Sequence, residues 1–215
     1  MRKIVPLAAF LVLLTSAAAA STLGSNTIVF KEQYYRLFRM NLNRNPDVFI
    51  ENIFWLERAL AAPFANPLFA LALIENETQW EKYRHLFMMH LNIRLVQQYL
   101  SLGSLWNKRE AFFFNAPFRD QNLASLDIAE SSFQAALFYW EEALRWAELA
   151  NDRRFRFINL VRVQYWEDQA FRIENGTLNY GRTITRELAS LQRVREEFLA
   201  MENHFYVRTA PPDPQ

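Results

Sequence analysis

No cysteine occurs in the 215 residues. That excludes a disulfide framework, a thiol nucleophile, thiolate metal sites and a thioether lipid on the chain. Glycine is nearly absent as well, with 4 residues in the whole sequence. So few leave little material for tight turns and none for a glycine-rich phosphate loop. Neither sign of charge dominates: 24 Lys and Arg stand against 23 Asp and Glu. A nucleic-acid partner, which needs a clustered basic surface, is not indicated. Sustained alternation of apolar and polar residues is also missing, so no sheet is expected.

The N-terminus carries the one long apolar run. Arg2 and Lys3 precede Ile4 to Leu14, a stretch too short to cross a bilayer comfortably. Ala18-Ala19-Ala20 then offers a small-x-small cleavage site, which is the layout of a secretory signal peptide. We expect residues 1–20 to be removed and Ser21 to begin the mature chain. Taking Arg2 and Lys3 away leaves 22 bases against 23 acids, a net charge of −1. The expected organisation is a signal at 1–20, one helical domain at 21–208 and a disordered, proline-containing tail at 209–215. The protein is read as exported and periplasmic.

The remaining chain reads as successive helices. Their expected spans are Thr27 to Leu42, Pro46 to Ala61, Asn66 to Ile74 and Thr78 to Leu102. Further helices are expected over Ser104 to Phe114, from Asp120 to Ala150, over Arg153 to Ile173, and from Thr177 to about Asn203. Asn45-Pro46 and Asn66-Pro67 act as start signals. Thr78 with Glu81 has the form of a capping box, Gly103 is placed to stop a helix, and Asn175-Gly176 is a turn. Short connections favour antiparallel neighbours, so the fold class is all-α: helical hairpins stacked as an array or closed into an irregular bundle.

Ser132 to Leu149 reads SFQAALFYWEEALRWAEL. Ala136 and Ala143 would let a neighbouring helix approach closely, while Phe133, Leu137 and Trp140 fill the space beside them. With Ala129, this spacing resembles the second helix of a tetratricopeptide repeat. The match covers one helix; the preceding helix lacks the family's Trp-x-x-Leu-Gly-x-x-Tyr pattern, and no 34-residue recurrence is visible. The resemblance implies a concave groove for peptides or partner helices. In general character the chain is also similar to periplasmic accessory proteins of spirochaetes, including those of the collar around periplasmic flagella.

Marked chemistry is sparse. His-Glu-x-x-His, Glu-x-x-His pairs and Gly-x-Ser-x-Gly are absent. Glu81 and His85 share a helix face and read as a surface pair, and His90 reads as a satisfied core or interface residue. Adjacent acids such as Glu141-Glu142 point about 100° apart and do not converge on one bond. Asn76-Glu77-Thr78 and Asn175-Gly176-Thr177 fit the glycosylation sequon but also serve as helix-start signals. No catalytic residue, metal site or cofactor is assigned.

Aromatic residues reach 15 % of the chain. Consecutive Phe112, Phe113 and Phe114 cannot all face one core. At least one is therefore exposed, or buried against a second element or a partner; these rings read either as packed inside the helical core or as contacts for a partner. On the second reading the chain is a non-enzymatic periplasmic interaction or scaffold protein, an adaptor or subunit of an envelope assembly. Phe112, Phe113, Trp140 and Trp146 are the expected partner anchors. Its partners would be other envelope proteins, with no nucleic acid, membrane contact only through partners, and self-association left open. Two other readings are a helical carrier of an apolar ligand and a hydrolase with an unmarked carboxylate pair.

Overall fold

A computed structural model describes residues 27–201. The expected signal at 1–20, the tail at 209–215, the end of the last helix and His204 lie outside them. Six α-helices are present: α1 (Lys31–Arg44), α2 (Phe49–Ala61), α3 (Glu77–Trp106), α4 (Arg119–Ala150), α5 (Gln164–Glu174) and α6 (Tyr180–Ala200). No strand occurs among the described residues, and the fold class is all-α as expected.

The centre is α3. From Leu86 to Val96 it is buried almost all the way round, by α1, α2 and α5 as well as by α4. A helix that is apolar on every side belongs in an interior. Gly103 and Phe133, Tyr99 and Tyr139, and His85 and Trp146 are opposed across α3 and α4, so these two long helices run antiparallel. The α4 stripe that meets the neighbours is Ala129, Phe133, Ala136, Trp140, Ala143, Ala147 and Ala150, spaced at threes and fours and buried throughout. The small residues admit the adjacent backbones and the rings fill what remains. On its other side α4 carries α6, also antiparallel: Trp140 meets Tyr180, and Arg195 spans Asp127 and Glu130. At the N-terminal end α1 and α2 form a hairpin, tied by Asn41 to Asn52 and by Lys31 to the Ala59 and Leu60 carbonyls.

Several boundaries differ from the sequence expectation, each for an identifiable reason. Helix α3 is capped by Asn76, whose side chain accepts from the Gln79 N–H at 2.9 Å, so Thr78 is not the cap. It also runs through Gly103. A Cβ there would lie 2.4 Å from Cε1 of Phe133, so this glycine allows a close approach between α3 and α4 instead of ending a helix.

The helix expected over Ser104 to Phe114 is absent. Helix α3 ends at Trp106, and the chain resumes only as a 3₁₀ turn over Phe113–Phe118. Arg193 holds the Arg109 carbonyl at 3.3 Å, which ties this segment to α6 outside a regular helix.

The helix expected over Arg153 to Ile173 is also broken. A 3₁₀ turn at Arg153–Phe155 leads into an irregular path, and regular helix begins at Gln164. That path buries Phe155, Leu160 and Val163. Its polar backbone is satisfied from outside: Lys82 donates to the Ile158 carbonyl, and Glu167 accepts from the Leu160 N–H. Lys82 and Glu167 pair with each other at 2.6 Å, mostly shielded from solvent.

The Asn66 start signal yields only the 3₁₀ turn Pro67–Phe69, and Val48, not Pro46, precedes α2. At the far end Asn179 caps α6, while Thr177 bonds Asn175 within the turn where Gly176 sits at φ 74°.

Candidate functional site

Two places on the molecule have the character of binding sites. The first grows from the failed helix between α3 and α4. Freed from a regular helix, Phe112, Phe113 and Phe114 turn their rings onto one another. Phe112 stacks on Phe114 at 5.1 Å, and Phe113 meets Phe114 edge-on at 5.5 Å. They remain 47 %, 78 % and 58 % exposed, and Phe118, four residues after Phe114, is 58 % exposed. Aromatic rings that satisfy one another yet face water form an apolar surface of the kind that marks interfaces.

The four expected anchors separate on burial. Phe112 and Phe113 are in this exposed cluster. Trp140 is only 4 % exposed; its ring meets Tyr180 at 5.6 Å and fills the space left by Gly181. A side chain so enclosed serves the α4–α6 core, and its assignment as a partner anchor is corrected here. Trp146 is half-buried, against His85 and beneath the Arg145 guanidinium, on a different helix from the phenylalanines. Phe114 completes the exposed cluster, and Phe118 is exposed close by in the chain. The same Phe-Phe-Phe and Pro-Phe run of the sequence carried them.

Glu81 and His85 share a helix face as expected and the Glu81 charge acts on the ring, but Arg154 takes both oxygens of Glu81, at 2.8 and 3.0 Å. His85 sits between Trp146 and Phe155 instead, and burial lowers its pKa from the ordinary value.

The second place is a cleft of about 400 Å³ where α1, α3 and the start of α5 meet. Tyr35 and Arg39 come from α1, His90 and Arg94 from α3, and Arg162, Tyr165 and Trp166 from the irregular path and the first turn of α5. One hydrogen-bond relay sets its floor. The Tyr35 hydroxyl donates to His90 Nε2 at 2.8 Å, and His90 Nδ1–H donates to Gln169 Oε1 at 2.8 Å. Gln169 Nε2 in turn donates to the Tyr165 hydroxyl at 3.3 Å. His90 also lies flat against Trp166, with centroids 4.8 Å apart. Burial first, then the Arg94 and Arg39 charges, push its pKa down to about 3, so the ring is neutral at physiological pH. It is the satisfied core histidine that the sequence suggested. The arginines around it were not singled out. Their signal was Arg94, the single charged residue in the stretch from Met88 to Gln98, one turn after His90.

Among the described residues no group of three or more His, Asp or Glu converges as metal ligands would. No helix among them is long and apolar enough to cross a membrane. Residues 78–201 match the model of a family described as a domain of unknown function, DUF8513, and the chain belongs to that family. Neither a curated protein nor a solved structure matches it.

Proposed function

We propose that this DUF8513 protein is an exported, periplasmic interaction protein, an adaptor or subunit of an envelope assembly that works by binding and not by catalysis. One observation carries the reading: the Phe112–Phe113–Phe114 cluster keeps its rings packed together and facing water, with Phe118 exposed four residues on. Leaving such a cluster hydrated forgoes roughly 25 cal/mol for each Å² of apolar surface, a loss that burial against a partner recovers. Aromatic side chains lose little conformational freedom on docking, which suits them as anchors. The near-balanced charge leaves no large field of one sign to oppose contact with a protein surface. The tetratricopeptide-like stretch fits the same role, because its stripe packs α4 between α3 and α6 and so fixes the scaffold that presents the cluster.

The test has two arms. N-terminal sequencing of the protein from its native envelope should find Ser21 first. A photo-crosslinker at Phe113 should capture a discrete envelope protein, and capture should vanish when Phe112, Phe114 and Phe118 are changed to serine. An unprocessed N-terminus, or a crosslink that survives those changes, refutes the proposal.

A further inference from the structure

The cleft between α1, α3 and α5 is lined by three guanidiniums that no acidic side chain neutralises. Arg39, Arg94 and Arg162 line it, and no acidic residue does. With His90 neutral, its formal charge is +3. Some arginines elsewhere are neutralised by acids, such as Arg195 between Asp127 and Glu130 and Arg154, bidentate on Glu81. Among the described residues, none of the three cleft arginines forms an ion pair.

Two details show that the arrangement is held at a cost. Arg94 gives Nη1 to Gln97 at 2.9 Å, but its Nε is buried with no acceptor. A buried donor without a partner is normally eliminated from a fold unless something else accepts from it. Arg162 is the one described non-glycine residue with a positive φ, 79°. Such backbone strain persists where the surroundings over-determine it, and it clusters at binding sites. Three guanidiniums brought from three separate segments, one on a strained backbone and one with a buried donor left without an acceptor, form a cleft suited to accept an anion.

We propose that this cleft binds an oxyanion, a carboxylate or phosphoryl group, carried on a small organic molecule. The guanidiniums supply charge and forked donors, with Arg94 Nε as the deepest contact. The fixed hydroxyls of Tyr35 and Tyr165 border the same space, and the indole of Trp166 offers an apolar wall for the rest of the molecule. A volume of about 400 Å³ suits a metabolite-sized occupant, not a bare ion. The site is separate from the phenylalanine cluster and stands independently of it.

Calorimetric titration of the full mature chain with inorganic phosphate, benzoate and uncharged benzamide tests this. At least one of the two anions should bind saturably at one site, and benzamide should not bind. Benzoate alone would identify a carboxylate ligand, phosphate alone a phosphoryl one. Arg94→Gln should weaken the anion about tenfold or more, and so should the exposed pair Arg39→Gln/Arg162→Gln, whose unliganded melting temperature should stay close to wild type. Rising salt should weaken binding as well. The proposal is overturned if neither anion binds at about 10 mM, far above useful affinity. It is equally overturned if benzamide matches benzoate, or if the Arg39/Arg162 variant binds as the wild type does.

Discussion

Replacing Gly103 by alanine sets two effects of opposite sign against each other. Within a helix, alanine is favoured over glycine by about 1 kcal/mol, and α3 is helical through this position. Against that, the new Cβ would lie 2.4 Å from Cε1 and 2.7 Å from Cδ1 of Phe133. Ordinary contact between carbon atoms is about 3.5–4.0 Å, so the ring or the helix must move by about 1 Å. Phe133 is fully buried in the α4 stripe and has no free space to enter. Overpacking of this kind typically costs about 1–3 kcal/mol. The clash exceeds the propensity gain, because a rigid buried ring gives way only by displacing its own neighbours. The expected net destabilisation is up to about 2 kcal/mol, a fall in melting temperature of up to about 8 °C for a domain of this size. Urea unfolding followed by far-UV circular dichroism measures it. Adding Phe133→Leu should relieve the clash, so the double variant should be more stable than the sum of the two single effects. If Gly103→Ala raises the melting temperature, the glycine is not there for close packing and the α3–α4 approach derived from it is wrong.

Four further outcomes follow from the same geometry. Trp140→Ala should cost about 3–5 kcal/mol, while Phe113→Ala should stay within about 0.5 kcal/mol of wild type; equal losses in thermal melts would contradict the separation of core from surface. Lys82→Met should cost about 3 kcal/mol by leaving Glu167 without its partner in a largely shielded site, and adding Glu167→Gln should restore part of it. A double-mutant cycle showing no coupling would remove the pair from the account of why the Arg156 to Val163 path is irregular. His90 has its pKa depressed to about 3, so the unfolded chain takes up its proton before the native one does. Its contribution is fully present above about pH 6.5 and is lost as pH falls towards 3, at up to about 1.4 kcal/mol per pH unit. His90→Gln should flatten that limb of the stability–pH curve, and identical slopes in the two proteins would show that His90 is not buried neutral. Asn76→Ala removes the acceptor of the Gln79 N–H and should cost about 1 kcal/mol in urea unfolding.

Local patterns carried much of the architecture. Helical spacing and the Asn175-Gly176 turn act over a few residues and need no tertiary partner, so the all-α class and the α4 stripe were legible from composition and periodicity, whereas the Asn66 signal gave only a 3₁₀ turn and the cap of α3 fell at Asn76, not at Thr78. The sequence alone also established which chemistries are absent, since a chain with no cysteine and 4 glycines cannot build thiolate centres or glycine-rich loops. Only the tertiary structure decided what each ring and each charge was for. Phe113 and Trp140 are equally apolar in sequence, and the neighbour that encloses Trp140, at Tyr180 and Gly181 on α6, is forty residues away. Residues 107–112 and 156–163 have helix-compatible sequences yet take irregular paths, because distant side chains, Arg193 and Lys82, satisfy backbone carbonyls that a helix would otherwise satisfy. Arg39, Arg94 and Arg162 are spread over more than a hundred residues of chain. Their convergence on one cleft comes from the packing of α1, α3 and α5, which no short-range pattern encodes.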